Sequence, residues 1–197
     1  MKVRVLALLL LAAAPYSAIA AAPAATAQAL CDSLIASMKL GPSAGIAARS
    51  ALLAPVVRRA YDLPLMTRLV IGRPWRGMTP KQQADLVDAF SSYCVAEYAS
   101  EFTSYSGQKF EVDPQATTLS NGDAVVHTRL VTSDPDPVRL DYLVRQSGGE
   151  WRIIDVYLNG TISQLAARRS EYSAILRSGG PEALIAALKK KTADLGG

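Results

Sequence analysis

The apolar residues change period part-way along the chain, and that change restricts the fold more than any other feature. Between 79 and 105 they recur at helical spacing: Leu86, Val87, Phe90, Tyr93, Cys94, Tyr98, Phe102 and Tyr105. Thr79 as N-cap, Pro80 at the first position and Gln82 three residues on form a capping box. A helix running to Tyr105 would be ~40 Å long at ~1.5 Å per residue. After it the period becomes two. Residues 110–112, 124–132, 138–144 and 151–158 read as four strands. Asn121-Gly122, Asp134-Pro135-Asp136-Pro137 and Gly148-Gly149 separate them as tight turns, which makes the sheet antiparallel. Val126 and Leu130 share one face of the second strand, and Leu140, Tyr142 and Val144 one face of the third. The opposite faces carry His127, Arg129, Arg139, Asp141 and Arg145. One sheet face is apolar and the other charged.

Helical patterns flank this centre. Leu30, Leu34, Ile35 and Met38 mark a helix over 28–39, ended by Gly41-Pro42. A second follows with Ile46, Leu52, Leu53, Val56 and Val57, and a short third over 65–71 is closed by Gly72. The alanines at 21–27 read as a linker. Beyond the strands, Asn159-Gly160 turns the chain and Ser163 caps a helix with the stripe Leu165, Tyr172, Ile175 and Leu176. Gly179-Gly180-Pro181 separates it from a last helix bearing Leu184, Ile185 and Leu188. The expected fold class is α+β in one domain, 21–197: N-terminal helices including one long helix, an antiparallel sheet of about four strands, and two C-terminal helices.

The first 20 residues are expected to be a secretory signal. Lys2 and Arg4 precede an apolar run and then Ala18-Ile19-Ala20, with cleavage after Ala20 or Ala22. Without Lys2 and Arg4, 19 basic residues against 17 acidic leave about +2. Export gives Cys31 and Cys94 a compartment that permits disulfides. A bridge between them would close a long loop for ~4 kcal/mol on the loop-entropy model. Two buried thiols fit the same residues.

The residues offer little for catalysis or metals. One His and two Cys exclude multi-histidine centres and four-cysteine zinc sites. Gly41-Pro42-Ser43-Ala44-Gly45 matches the G-x-S-x-G of a hydrolase elbow, but a helix precedes it where that motif needs a strand. His127 lies mid-strand on the charged face and reads as a solvated histidine. Arg58-Arg59, Arg168-Arg169 and Lys189-Lys190-Lys191 read first as solvated helix faces, second as contacts for anionic headgroups or acidic partners. The charge is too small and the aromatics too separate for nucleic acid. From the residues alone the chain is an exported α+β domain with no visible catalytic centre.

Several stretches, in order, resemble the MlaC-type (toluene-tolerance) family of periplasmic lipid-transfer proteins. They are Ile71-Gly72-Arg73-Pro74-Trp75-Arg76-Gly77-Met78-Thr79-Pro80, the aromatics Phe90, Tyr98 and Tyr105, Trp151-Arg152-Ile153-Ile154-Asp155-Val156 running to Ser163, and Arg168-Arg169-Ser170-Glu171-Tyr172 with Leu184-Ile185-Ala186-Ala187-Leu188. Residues 61–68 and Tyr105-Ser106-Gly107 look like the hopanoid-associated HpnM branch. The turn at Leu158, Asn159 and Thr161 departs from the family pattern. The resemblance implies a curved sheet and helices enclosing an apolar pocket, with no catalysis and no cofactor. It implies a phospholipid or hopanoid cargo, ferried between an inner-membrane ABC transporter complex and an outer-membrane lipoprotein complex. A monomer is expected. The expected lining is Met66, Leu69, Val70 and Trp75 at the mouth, then Phe90, Tyr98 and Phe102, with Val126, Leu130, Leu140, Val156 and Leu158 from the sheet; residues 72–77 are the expected gate. The competing reading is a periplasmic binding protein for a soluble small ligand.

Overall fold

The computed structural model describes residues 22–196, and the expected signal segment, 1–20, lies outside them. Helix α1 spans Pro23–Lys39. Pro23 takes the first helical position, where a missing N–H breaks no bond. Residues 23–27 of the run expected as a linker are therefore helix, because alanine is the strongest helix former and Ala24 and Ala27 bury their small side chains in the core. A 3-10 turn, Pro42–Ala44, leads to α2 (Gly45–Ala60), whose axis is bent 89° from that of α1. The serine of the G-x-S-x-G stretch lies in this helix–helix turn. Arg49 of α2 is buried; its Nε donates to the Ala99 carbonyl at 2.8 Å and its Nη1 to the Gly41 carbonyl at 3.0 Å. Both carbonyls sit near helix C-termini, whose partial negative charge favours the guanidinium.

Helix α3 (Leu63–Ile71) begins two residues earlier than the sequence pattern suggested, because Asp62 caps it by accepting from Leu65 N at 3.0 Å. A 3-10 turn, Arg73–Gly77, leads to α4 (Pro80–Glu101). The capping box is complete: Gln82 N donates to Thr79 Oγ1 at 3.2 Å and Thr79 N to Gln82 Oε1 at 2.8 Å. The helix stops short of Tyr105. Phe102 leaves helical geometry at φ −98° and ψ 72°. Its carbonyl accepts from Ser37 Oγ of α1 at 3.1 Å. Tyr105 is exposed, with Lys39 Nζ 5.0 Å from its ring centre.

Six antiparallel strands follow: β1 (Lys109–Val112), β2 (Thr117–Thr118), β3 (Ala124–Val131), β4 (Val138–Ser147), β5 (Glu150–Leu158) and β6 (Ile162–Ser163). The sheet runs β1-β3-β4-β5-β6, with β2 also on β3. The two-residue strands β2 and β6 are too short to leave a period in the sequence. A register shift at Leu143/Val144 bends the β4–β5 ribbon, since bulges add local twist. Ala124, Val126, Tyr142 and Val144 are buried on the inner face. The outer face holds its charges in pairs: Asp123 with Arg145, and Asp141 with Arg139 and His127.

Helix α5 (Gln164–Gly196) is two helices joined at Gly180, whose φ of 70° and ψ of −167° break the ladder before Pro181. Ser163 caps it as expected, accepting from Ala166 N at 2.9 Å. α1 packs on the inner face against β1, β3 and β5, while α4 lies against α2 and α5. Tyr142, Tyr172, Phe90, Leu30, Leu34 and Leu53 are among the fully buried side chains between these layers. Among the described residues no single helix is long and apolar enough to cross a membrane.

Candidate binding cavity

Where α4, α5, α3 and the ends of β4 and β5 converge, a cavity of about 200 Å³ remains between them. Helix α4 supplies one wall through Phe90, Cys94, Glu97, Tyr98 and Glu101, with Phe102 at its end. From Phe90 to Cys94, on to Glu97 and Tyr98 and then to Glu101 and Phe102, each turn steps three or four residues and returns to one helix face. Leu140, Val156 and Leu158 come from the sheet, Met66 from α3, Tyr61 from the α2–α3 junction, and Gln164, Leu165 and Arg168 from α5. Tyr61 is held there by a parallel bridge to Ile153 and by Asp62 N donating to the Ile153 carbonyl at 2.9 Å.

The inner part is aromatic. The Tyr98 ring centre lies 6.1 Å from Tyr61 and 5.9 Å from Phe102, and Phe102 lies 6.2 Å from Phe110. The Tyr61 and Tyr98 hydroxyls hydrogen-bond each other, so the two buried polar tips satisfy one another. Burial pushes the Cys94 thiol up to about 12 and raises both tyrosines well above their ordinary values. These groups stay neutral at physiological pH and keep the inner wall uncharged.

The outer part is polar, and its arginine is paired. Arg168 donates to Glu97, which also accepts from Tyr93 Oη at 3.0 Å, and the guanidinium lies 5.3 Å from the Tyr93 ring centre. Burial works against the Arg168 charge, but the neighbouring Cys94 and Glu97 together outweigh it. Burial and the neighbouring Glu97 hold Glu101 above its usual range. Asp155 is committed to the fold: it accepts from Leu165 N at 3.1 Å and from Ser163 Oγ, fastening β5 to the start of α5.

Of the twelve residues expected to line a pocket, Met66, Phe90, Tyr98, Phe102, Leu140, Val156 and Leu158 border this cavity. The other five do not. Leu69 is 39% exposed on the outer side of α3. Val70 and Val126 are fully packed in the core, Leu130 is half-buried beside Phe110, and Trp75 is half-buried in the 3-10 turn. No residue of 72–77 borders the cavity either; that segment edges a separate groove. Cys31 and Cys94 are free, buried thiols. The sequence reading missed Tyr61, Glu97, Glu101 and Arg168. For Arg168 a signal existed: it falls on the apolar stripe of α5, three residues after Leu165 and four before Tyr172.

A family model described as MlaC protein matches residues 28–190. The chain belongs to the MlaC family. The fold agrees with that membership. A phospholipid-binding protein from Ralstonia solanacearum, solved in complex with a phospholipid, superposes with a TM-score of 0.76 at 24% identity, over 89% of this chain and 99% of that one. At that identity the likeness establishes the shared fold. In this MlaC-family chain the cavity has an aromatic inner wall and an Arg168–Glu97 rim.

Proposed function

We propose that the protein is a periplasmic lipid carrier, holding the acyl part of a phospholipid, or a hopanoid, in this cavity and moving it between an inner-membrane ABC transporter complex and an outer-membrane lipoprotein complex. No reaction is part of this role. The supporting observation is the cavity itself, aromatic and apolar inside with the Arg168–Glu97 ion pair at its outer edge. Family membership and the Ralstonia protein's bound phospholipid favour a phospholipid cargo.

The energetics of such a carrier are simple. Sheltering a methylene from water is worth ~0.8 kcal/mol, so a sixteen-carbon chain costs roughly 12 kcal/mol in the aqueous periplasm. Bilayer and cavity both shelter the chain, so transfer between them runs near balance and its direction comes from the docking partners. The volume sets a further requirement. At ~30 Å³ per methylene, close to the share of a liquid water, such a chain needs ~480 Å³. That is more than twice the 200 Å³ present, so the walls must part to admit it.

Native mass spectrometry of the exported protein, followed by extraction and lipid identification, tests this reading. A discrete adduct that extracts as phospholipid or hopanoid is the expected result. Bare protein that also takes up no lipid from vesicles would refute the carrier and leave a soluble ligand as the reading.

A further inference from the structure

Away from the cavity, an open groove of about 510 Å³ lies between the 3-10 turn, the start of α4 and α5. Its floor is apolar, with Ile71, Met78 and Leu176. Three arginines stand around it, Arg73, Arg169 and Arg177, with no carboxylate among the lining residues. All three are exposed, and none has an ion-pair partner among the described residues. That sets them apart from Arg129, Arg139, Arg145, Arg152 and Arg168, each of which meets a carboxylate.

Arg169 is also seated with care. A Cβ at position 72 would fall 2.8 Å from its Nη2, so the guanidinium rests directly against the Gly72 backbone. Gly72 has φ 70° and ψ −133°, a conformation that side chains disfavour, and it therefore serves both the turn and the arginine. The adjacent arginines thus diverge: Arg168 turns in to the cavity rim and Arg169 out to the groove.

We infer that this groove is where the protein rests on an anionic lipid leaflet, its three arginines taking the headgroup phosphates. A guanidinium matches phosphate through paired hydrogen bonds. The apolar floor beside three unpaired cations, with half-buried Trp75 in the 3-10 turn that borders the groove, is the combination that suits the interface of an anionic bilayer. The position fits the carrier reading, on which the inference rests for its purpose. Helix α3 ends at the groove with Ile71 and lines the cavity with Met66, so a leaflet held there lies about one helix diameter, ~10 Å, from the cargo.

Co-flotation of the mature protein with vesicles tests the inference. Binding is expected to phosphatidylcholine vesicles containing phosphatidylglycerol and not to pure phosphatidylcholine. It should weaken steeply with salt, as the screening length falls from ~10 Å at 0.1 M to ~3 Å at 1 M. An arginine at an anionic surface is worth about fivefold in partitioning, so the triple variant Arg73→Gln/Arg169→Gln/Arg177→Gln should lose roughly 100-fold. Arg58→Gln/Arg59→Gln, on the exposed side of α2, should change it less than a tenth as much. Because all five arginines are exposed, thermal melts of these variants should match the parent. No binding to the anionic vesicles at low salt would overturn the inference, as would equal losses in the two sets of variants. Groove-dependent retention on polyglutamate without vesicle binding would reassign the groove to an acidic protein and overturn it too. Lipid content by mass spectrometry is read separately: bare protein that floats yet takes up no lipid from the vesicles refutes the carrier alone, and loaded protein that does not float refutes the leaflet contact alone.

Discussion

Truncating Phe102 to alanine separates a cavity wall from ordinary core. The ring is 9% exposed, stacks between Tyr98 and Phe110, and borders the cavity on its open side. Six carbons at interior packing density occupy roughly 100 Å³, so the 200 Å³ space would grow by about half. Without lipid, the lost contacts and added void should cost about 3 kcal/mol, the low end for Phe→Ala because one side of the ring already lacks neighbours. With lipid, the new volume holds about three more methylenes at ~30 Å³ each. At ~0.8 kcal/mol apiece these return ~2.4 kcal/mol, which is roughly 50-fold slower release. Urea melts of delipidated and loaded protein, with transfer of labelled phospholipid to acceptor vesicles, read both quantities. A variant destabilised equally in both states, with unchanged release, would refute the lining role of Phe102.

Three further outcomes follow from the same contacts. Arg168→Gln should cost about 2–3 kcal/mol in urea melts, because Glu97 keeps a charge that is only partly exposed, and adding Glu97→Gln should recover part of it. Cys31 and Cys94 are both pushed up to about 12 by burial, so native protein should resist alkylation at neutral pH and take up two adducts per chain once denatured, counted by mass spectrometry. Asp123 is held below its ordinary range by hydrogen bonds from Arg145; burial pushes Asp141 up, but Arg139 and His127 outweigh it. Carboxylates depressed in the folded state add stability that is fully present above their unfolded values near ~3.9 and lost as pH falls through the folded ones, so Asp123→Asn should flatten the loss of stability below about pH 4.

Most of the architecture was legible because it rests on local chemistry. The Thr79–Gln82 box, the Ser163 cap, the break at Gly180 and the alternation in β3 and β4 depend on neighbours a few residues apart. The misplaced boundaries have equally local causes. The aromatic period runs past Glu101 to Tyr105, yet the helix stops at Phe102, where the backbone turns toward Ser37 of α1. The alanines after 22 resemble the tail of a signal segment in composition alone, and their helix is fixed by packing on residues far along the chain. The cavity was half legible. Apolar lining residues follow from the faces of α4 and the sheet, but the rim depends on Arg168 meeting Glu97 across 71 positions, and no periodicity encodes that pairing.

Arg49 and Ser37 determine how such a cavity can open. Arg49 grips the Ala99 carbonyl and Ser37 the Phe102 carbonyl, so the end of α4 is tethered to the two N-terminal helices. Phe102 and Glu101 therefore belong to a fixed jaw. Across the rim stand α3 and the first turns of α5, and the Arg168–Glu97 ion pair joins α5 to that fixed end. Amide exchange should then be slow at the end of α4, and the Asp155 ties should slow it at the start of α5 as well.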